Sequence, residues 1–181
     1  MRFVPNALSI FRIISSFVLI PIILNNNSMA AAIIFSLASI SDFLDGYFAR
    51  KFHVSSELGA MLDPLADKTL MAVSYVIMAR VNFIPTYAAI FVVGRDFLIL
   101  SVVLICKILD VDLKMRPTMS SKINTTIQLI FVILVLACNC LSINVPYIIK
   151  LGAAIVCVST VFSGVEYVQK YYWIKDELFK R

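Results

Sequence analysis

Four aspartates, Asp42, Asp45, Asp63 and Asp67, fall at the facing ends of two long apolar runs. Asp42, Asp45, Gly46 and Ala49 stand at i, i+3, i+4 and i+7, one face of a helix. Gly59, Asp63 and Asp67 stand at i, i+4 and i+8, one face of the next. The short segment Arg50–Glu57 joins the two. A carboxylate at membrane depth costs roughly 2.5–3.5 kcal/mol on insertion scales. Four together would repel one another strongly unless cations intervene. All-oxygen ligation suits Mg²⁺ or Mn²⁺ rather than Zn²⁺, and four carboxylates can hold two ions. Gly46, Ala49 and Gly59 leave room for a ligand against the backbone. Arg50 adds a fixed cation whose fork matches a phosphate. The pattern points to metal-assisted chemistry on a phosphate compound. The rival reading is structural: glycines for helix packing, with the aspartates paired to Arg50, Lys68 and Arg95.

The elements that must position these residues are apolar. Of 181 residues, 61% are hydrophobic and 15% charged, and the mean hydropathy is +0.93. Soluble domains carry roughly 25% charged residues, so a lipid-facing surface is expected. The reading is an all-α, polytopic membrane protein in one domain, residues 1–181, with about six transmembrane helices. The spans are Asn6–Leu24, Met29–Ala49, Leu58–Ala79, Pro85–Lys107, Ile123–Cys140 and Pro146–Val168. Each is near the roughly 20 residues that cross the hydrocarbon. Strand-like alternation is absent. The separators Asn25–Ser28 and Ser142–Pro146 are uncharged. The opposite side carries Arg2, Arg50, Lys51, Lys107, Lys114, Arg116, Lys122, Lys170, Lys175, Lys180 and Arg181. The positive-inside rule therefore places both termini, and the aspartates, on the cytoplasmic side. Tyr171–Arg181, with Trp173, reads as an interfacial anchor.

Several function classes fall away. The net charge of +5 sits at the ends of apolar runs, so membrane lipid head groups are the expected partner and nucleic acid is not. Cys106, Cys138, Cys140 and Cys157 lie in apolar runs without metal-ligand spacing and read as packing thiols. His53, beside Lys51, reads as a solvated interfacial histidine. No cleavable signal or transit peptide is evident, which favours a bacterial inner membrane.

The string Asp42-x2-Asp45-Gly46-x2-Ala49-Arg50-x8-Gly59-x3-Asp63-x3-Asp67 resembles, at every fixed position, the signature of the CDP-alcohol phosphatidyltransferases. That resemblance implies a six-helix fold with the active site at the cytoplasmic ends of helices 2 and 3. It implies two metals on Asp42, Asp45, Asp63 and Asp67, with Asp67 also the proton acceptor. It assigns Gly46, Ala49, Arg50 and Gly59 to the CDP moiety and gives Ser56 an assisting role. Pro5-Asn6-x-Leu8-Ser9-x2-Arg12 is similar to the family's N-terminal stretch, which closes over the nucleotide and brings in Asn6. Where many relatives place a proline four residues after that arginine, this chain has Ser16, and its proline is Pro21. In Gly94-Arg95-Asp96, Arg95 resembles a cation serving the acceptor's phosphate, with an ion pair to Asp96 as the alternative. The stretch Arg116-Pro117-Thr118-x2-Ser121-Lys122-x-Asn124-Thr125-x2-Gln128 resembles the opening of the fifth helix in the cardiolipin synthase branch, and phosphatidylglycerophosphate synthases carry a related pattern. Lys122 joins Arg95 as an expected phosphate cation.

The expected reaction is transfer of the phosphatidyl group of CDP-diacylglycerol to an acceptor hydroxyl, with release of CMP. Phosphatidylglycerol is the favoured acceptor and glycerol 3-phosphate the second. A homodimer is compatible with such a fold. Intramembrane prenyltransferases also use aspartates with Mg²⁺, but Ser41 and Ala49 fill positions where their first motif wants Asn and Asp. A transporter would scatter ionisable groups through the depth of the membrane rather than gather them at one interface.

Overall fold

A computed structural model describes residues 3–52, 57–108 and 118–179, with side chains for 10–41, 66–101 and 118–169. The described residues form six helices and no strand. They are α1 (Phe3–Leu24), α2 (Ser28–Phe52), α3 (Glu57–Arg80), α4 (Thr86–Ile108), α5 (Met119–Cys140) and α6 (Pro146–Phe179).

Three helices end in the same way, which brings three tight turns to one end of the bundle. After α1, Asn26 adopts φ 56°. Its N–H bonds Ile23 O, and the Asn27 N–H reaches Ile22 O. After α3, Asn82 has φ 60°, with Asn82 N–H to Ala79 O and Phe83 N–H to Met78 O. After α5, Ser142 has φ 54°, with Ser142 N–H to Asn139 O and Ile143 N–H to Cys138 O. This is the Schellman arrangement, which satisfies carbonyls that a helix end would otherwise leave bare. Asparagine tolerates the left-handed region better than most residues.

Helix starts are capped by nearby side chains. Asn27 Oδ1 accepts from the Ala30 N–H of α2 at 3.2 Å. Thr118 Oγ1 accepts from the Ser121 N–H of α5 at 3.3 Å. That cap starts α5 at Met119, earlier than the apolar run beginning at Ile123 had indicated. At the other extreme α6 is one helix of 34 residues, about 51 Å at 1.5 Å per residue. The stretch expected to anchor at the interface is helical as far as Phe179 and continuous with the rest of α6.

The helices pack in a ring. α1 lies against α2 and α3, α2 against α5, α5 against α6, α6 against α4, and α4 against α3. A lesser contact of α3 with α5 crosses the ring. Among the described residues α1 is thus the shared neighbour of α2 and α3. Each helix turns one stripe inward. α1 buries Arg12, Ser16, Leu19 and Ile23; α2 buries Ala31, Phe35 and Ala38; α3 buries Leu70, Met71, Ser74, Tyr75 and Met78.

The outer surface is apolar. Phe17 is 58% exposed, Phe97 71% and Phe162 67%. An exposed apolar face of this extent marks a lipid or protein contact. Among the described residues Met119–Cys140 and Pro146–Gln169 are long and apolar enough to cross a membrane. Only 33% and 22% of their apolar windows are buried, whereas the core helix of a soluble protein would be mostly covered.

α5 and α6 meet closely at Gly152. A Cβ there would stand 2.6 Å from Phe131 Cε2. Phe131 is buried and held by the Tyr75 ring, centroid to centroid 6.3 Å. Gly152→Ala should therefore destabilise the protein by about 1–3 kcal/mol, the usual cost of overpacking. Thermal unfolding in detergent checks this, and adding Phe131→Leu should recover part of the loss.

Candidate active site

The two aspartate motifs occupy matching places in their helices. Along α2 the inward stripe Ala31, Phe35 and Ala38 repeats at steps of four and three. Positions 42, 45 and 49 fall in the same helical register further along. Along α3, Asp67 is half-buried and stands in register with buried Met71, Ser74 and Met78, with position 63 one turn before it. The side chains of Asn6, Asp42, Asp45, Gly46, Ala49, Arg50, Gly59 and Asp63 lie outside the described residues, although each position is helical; Ser56 lies outside them altogether. Among the described residues no three acidic, histidine or cysteine groups converge.

Beside Asp67 the ionised interior continues through α4. Asp96 Oδ1 accepts from Lys68 Nζ, the residue after Asp67, and from Arg95 Nη1 at 2.7 Å. Arg95 Nη2 donates to Ser121 Oγ of α5 and to Ser163 Oγ of α6, both at 2.7 Å. One guanidinium and one carboxylate thus join α3, α4, α5 and α6. Arg95 Nε is buried with no acceptor among the described residues. Gly164 stands beside the arginine stem, where a Cβ would meet Arg95 Cγ at 3.9 Å, an ordinary contact. Lys122, the other expected phosphate cation, is exposed.

A polar seam runs deeper between α5 and α6. Asn124 Oδ1 accepts from Ser159 Oγ at 2.8 Å and from Thr160 Oγ1 at 3.1 Å. Gln128 Nε2 donates to Thr160 Oγ1 at 3.1 Å, and Tyr75 Oη donates to the Gln128 carbonyl at 3.1 Å. Ser120 pairs with Glu166. The α5 half of this seam was visible in sequence as Ser121, Asn124 and Gln128. The α6 half was missed. Its signal was the spacing of Ser159, Thr160, Ser163 and Glu166 along one face of an otherwise apolar helix.

Asp96 balances two cations, with the Arg95 and Asp96 side chains 6% and 9% exposed. Removing one member of a buried ionic group leaves the others uncompensated. Asp96→Ala should cost roughly 3–5 kcal/mol, measured as a fall in the unfolding midpoint. Asp96→Ala with Lys68→Met should cost less than the single change.

Fold and site together define a helical protein with a lipid-compatible exterior and an ionised interior concentrated toward one end. Residues 2–165 match the family model for CDP-alcohol phosphatidyltransferase, and the chain belongs to that family. It is similar to a cardiolipin synthase (CMP-forming) of Rattus norvegicus, 32% identical over 145 residues, covering 71% of this chain and 48% of that protein. A CDP-diacylglycerol–glycerol-3-phosphate 3-phosphatidyltransferase of Bacillus subtilis is 32% identical over 144 residues, covering 78% and 73% respectively. The protein of that name from Rickettsia bellii is 29% identical over 177 residues, covering 93% and 96%. The chain spans about half or less of the length of the cardiolipin synthases it matches.

Proposed function

We propose that the chain is a membrane-embedded enzyme that transfers the phosphatidyl group of CDP-diacylglycerol to an acceptor hydroxyl and releases CMP. The observation that carries this reading is the shared register of the aspartate motifs with the inward stripes of α2 and α3. Positions 42, 45, 63 and 67 thereby share a helical line with buried residues of α2 and α3. Lys68 and Arg95 both pair with Asp96. The donor set is all carboxylate, which fits two Mg²⁺ or Mn²⁺ ions. When bound, such ions neutralise charge on the attacked phosphoryl group and the departing CMP. The chain's own residues do the rest. Arg50 holds a phosphate by charge-assisted bonds. The small residues Gly46, Ala49 and Gly59 let the nucleotide approach the backbone. Asp67 accepts the proton of the acceptor hydroxyl as the oxygen attacks phosphorus in line. By its charge pattern, the aspartate-bearing end of all six spans faces the cytoplasm.

For the acceptor we favour phosphatidylglycerol, which gives cardiolipin. Arg95 lies on the wall of a largely apolar cavity of about 440 Å³ between α4 and α6, lined also by Phe91, Leu98, Val161 and Val165. Such a cavity suits an acceptor that carries acyl chains. The second reading, glycerol 3-phosphate as acceptor, is favoured by the relatives of B. subtilis and R. bellii, whose lengths this chain covers most fully among those described. Purified protein given CDP-diacylglycerol with each acceptor in turn tests the choice. Cardiolipin as the dominant product supports the first reading, and phosphatidylglycerophosphate as the dominant product replaces it with the second.

Both acceptors carry a phosphate, and Arg95 is the buried cation nearest the proposed acceptor cavity. Arg95→Ala should therefore raise the KM for the acceptor about tenfold or more, a lost charge-assisted contact, and that for CDP-diacylglycerol much less. Equal rises for both substrates would make Arg95 purely a tie between helices.

A further inference from the structure

We propose, on the reading that the acceptor is phosphatidylglycerol, that Gly94 is a specificity-determining residue. Its missing side chain opens a track across α4, in which an acyl chain of the acceptor lies while Arg95 meets the acceptor's phosphate.

The outward stripe of α4 is otherwise built of large side chains. Tyr87, Ile90, Phe91, Phe97 and Leu98 are all exposed. Gly94 is exposed too, and it stands three or four residues from each of the last four, on the same face. Glycine is the poorest helix former after proline, yet nothing local calls for it here. Its φ is not positive, and a Cβ at position 94 would meet nothing within 4 Å. Neither the backbone of α4 nor its packing within the chain therefore requires a glycine. What the absent side chain leaves is open space on the outer face, where a ligand can come against the backbone.

Two cavities meet at that gap. One, of about 440 Å³, lies between α4 and α6 and includes Arg95. The other, of about 690 Å³, lies between α3 and α4, with Val76, Ala79 and Val93 on its walls. Ile90 and Gly94 line both. A hydrocarbon chain passing from one to the other crosses α4 where a side chain at 94 would stand. Apart from Arg95 and Thr160, polar residues line this track only at its ends, Gln169 at one and Arg80, Asn82 and Thr86 at the other. From Ile99 to Thr86 it extends about 20 Å along α4. One leaflet contributes about 15 Å of hydrocarbon, so the track is long enough for a whole acyl chain.

Arg95 selects which lipid lies there. Among the described residues it is the one charged group lining the first cavity. Its side chain is 6% exposed, and its Nε has no acceptor among the described residues. Because Arg95 follows Gly94 directly, a lipid whose phosphate meets this guanidinium has its acyl chain beside position 94. Glycerol 3-phosphate has the phosphate without the chain and makes no use of the track.

The test gives the purified full chain, in detergent micelles, CDP-diacylglycerol and either dioleoyl- or dihexanoyl-phosphatidylglycerol. The dihexanoyl chains are too short to fill the track. The wild type should form cardiolipin from both and favour the dioleoyl acceptor. Gly94→Leu should lower kcat/KM for the dioleoyl acceptor by about tenfold or more, the range in which misfit in an apolar pocket discriminates. It should change kcat/KM for the dihexanoyl acceptor and the KM for CDP-diacylglycerol much less. Gly94→Ala favours the helix and meets no neighbour within 4 Å. It should fold as the wild type does and lower the same long-to-short ratio by a smaller factor, so it carries the test if the leucine variant does not fold. An unchanged ratio, whether or not overall activity falls, would overturn the track. Light scattering that shows Gly94→Leu separating a dimer into monomers would assign the gap to a second copy of the chain, contrary to the proposal. A wild type that makes no cardiolipin from either lipid, yet makes phosphatidylglycerophosphate from glycerol 3-phosphate, would instead remove the lipid acceptor itself, and the track with it.

Discussion

Asp63→Ala is expected to give a folded, helical protein whose transfer activity is lower by about a thousandfold or more. Several kcal/mol of transition-state charge stabilisation rest on the ions that the carboxylates would hold, and each 1.36 kcal/mol is tenfold in rate. The same substitution should weaken Mg²⁺ binding in a calorimetric titration. Chelation of the wild type with EDTA should abolish activity, and Mg²⁺ or Mn²⁺ should restore it. The fold should survive the change. Position 63 lies in the second turn of α3, whereas the described core of that helix runs from Ala66 to Ala79. Removing one of four mutually repelling carboxylates also relieves strain rather than creating it. A variant that loses its helicity would speak for a structural role, as would a wild type fully active in chelator.

Asp67→Asn probes a different function with an almost isosteric change. The amide keeps one oxygen for an ion but cannot accept the acceptor's proton. Turnover should fall by about 10²–10⁴, the span that general-base catalysis supplies. The dissociation constant for CDP-diacylglycerol should stay within a few-fold of wild type. The two variants therefore separate binding from chemistry. Asp63→Ala should damage donor binding and turnover together, and Asp67→Asn turnover alone. If Asp67→Asn retains wild-type turnover, the base lies elsewhere.

Much of this architecture is legible in sequence, because long apolar runs punctuated by turn residues read as helices. Five of the six helices lie within four residues of the spans read from hydropathy and turn residues, and α6 runs on past its expected end at Val168 to Phe179. Where boundaries differ, local hydrogen bonding decides. Thr118 caps α5 before its apolar run begins, and α6 runs on through a polar tail that hydropathy had set apart. For the aspartate motifs the structure adds that positions 42, 45, 63 and 67 are helical, as their spacing in the chain had implied. The packing partners are not legible in this way. That α1 sits beside both α2 and α3 follows from the ring, and no local pattern encodes it. The partners of Arg95 were half legible. Asp96 is its neighbour in sequence, but Lys68, Ser121 and Ser163 arrive from three other helices. The α6 seam was hidden because single serines and threonines are common in apolar helices, and only their shared face distinguishes these.

The measurement that bears most directly on the central claim is CMP release by the purified chain from CDP-diacylglycerol, with lipid product counted in parallel. CMP should appear only when a divalent metal and an acceptor, phosphatidylglycerol or glycerol 3-phosphate, are both present, with one lipid product formed per CMP. CMP released at the same rate without acceptor, or no release with either acceptor, would contradict phosphatidyl transfer as the function of this chain.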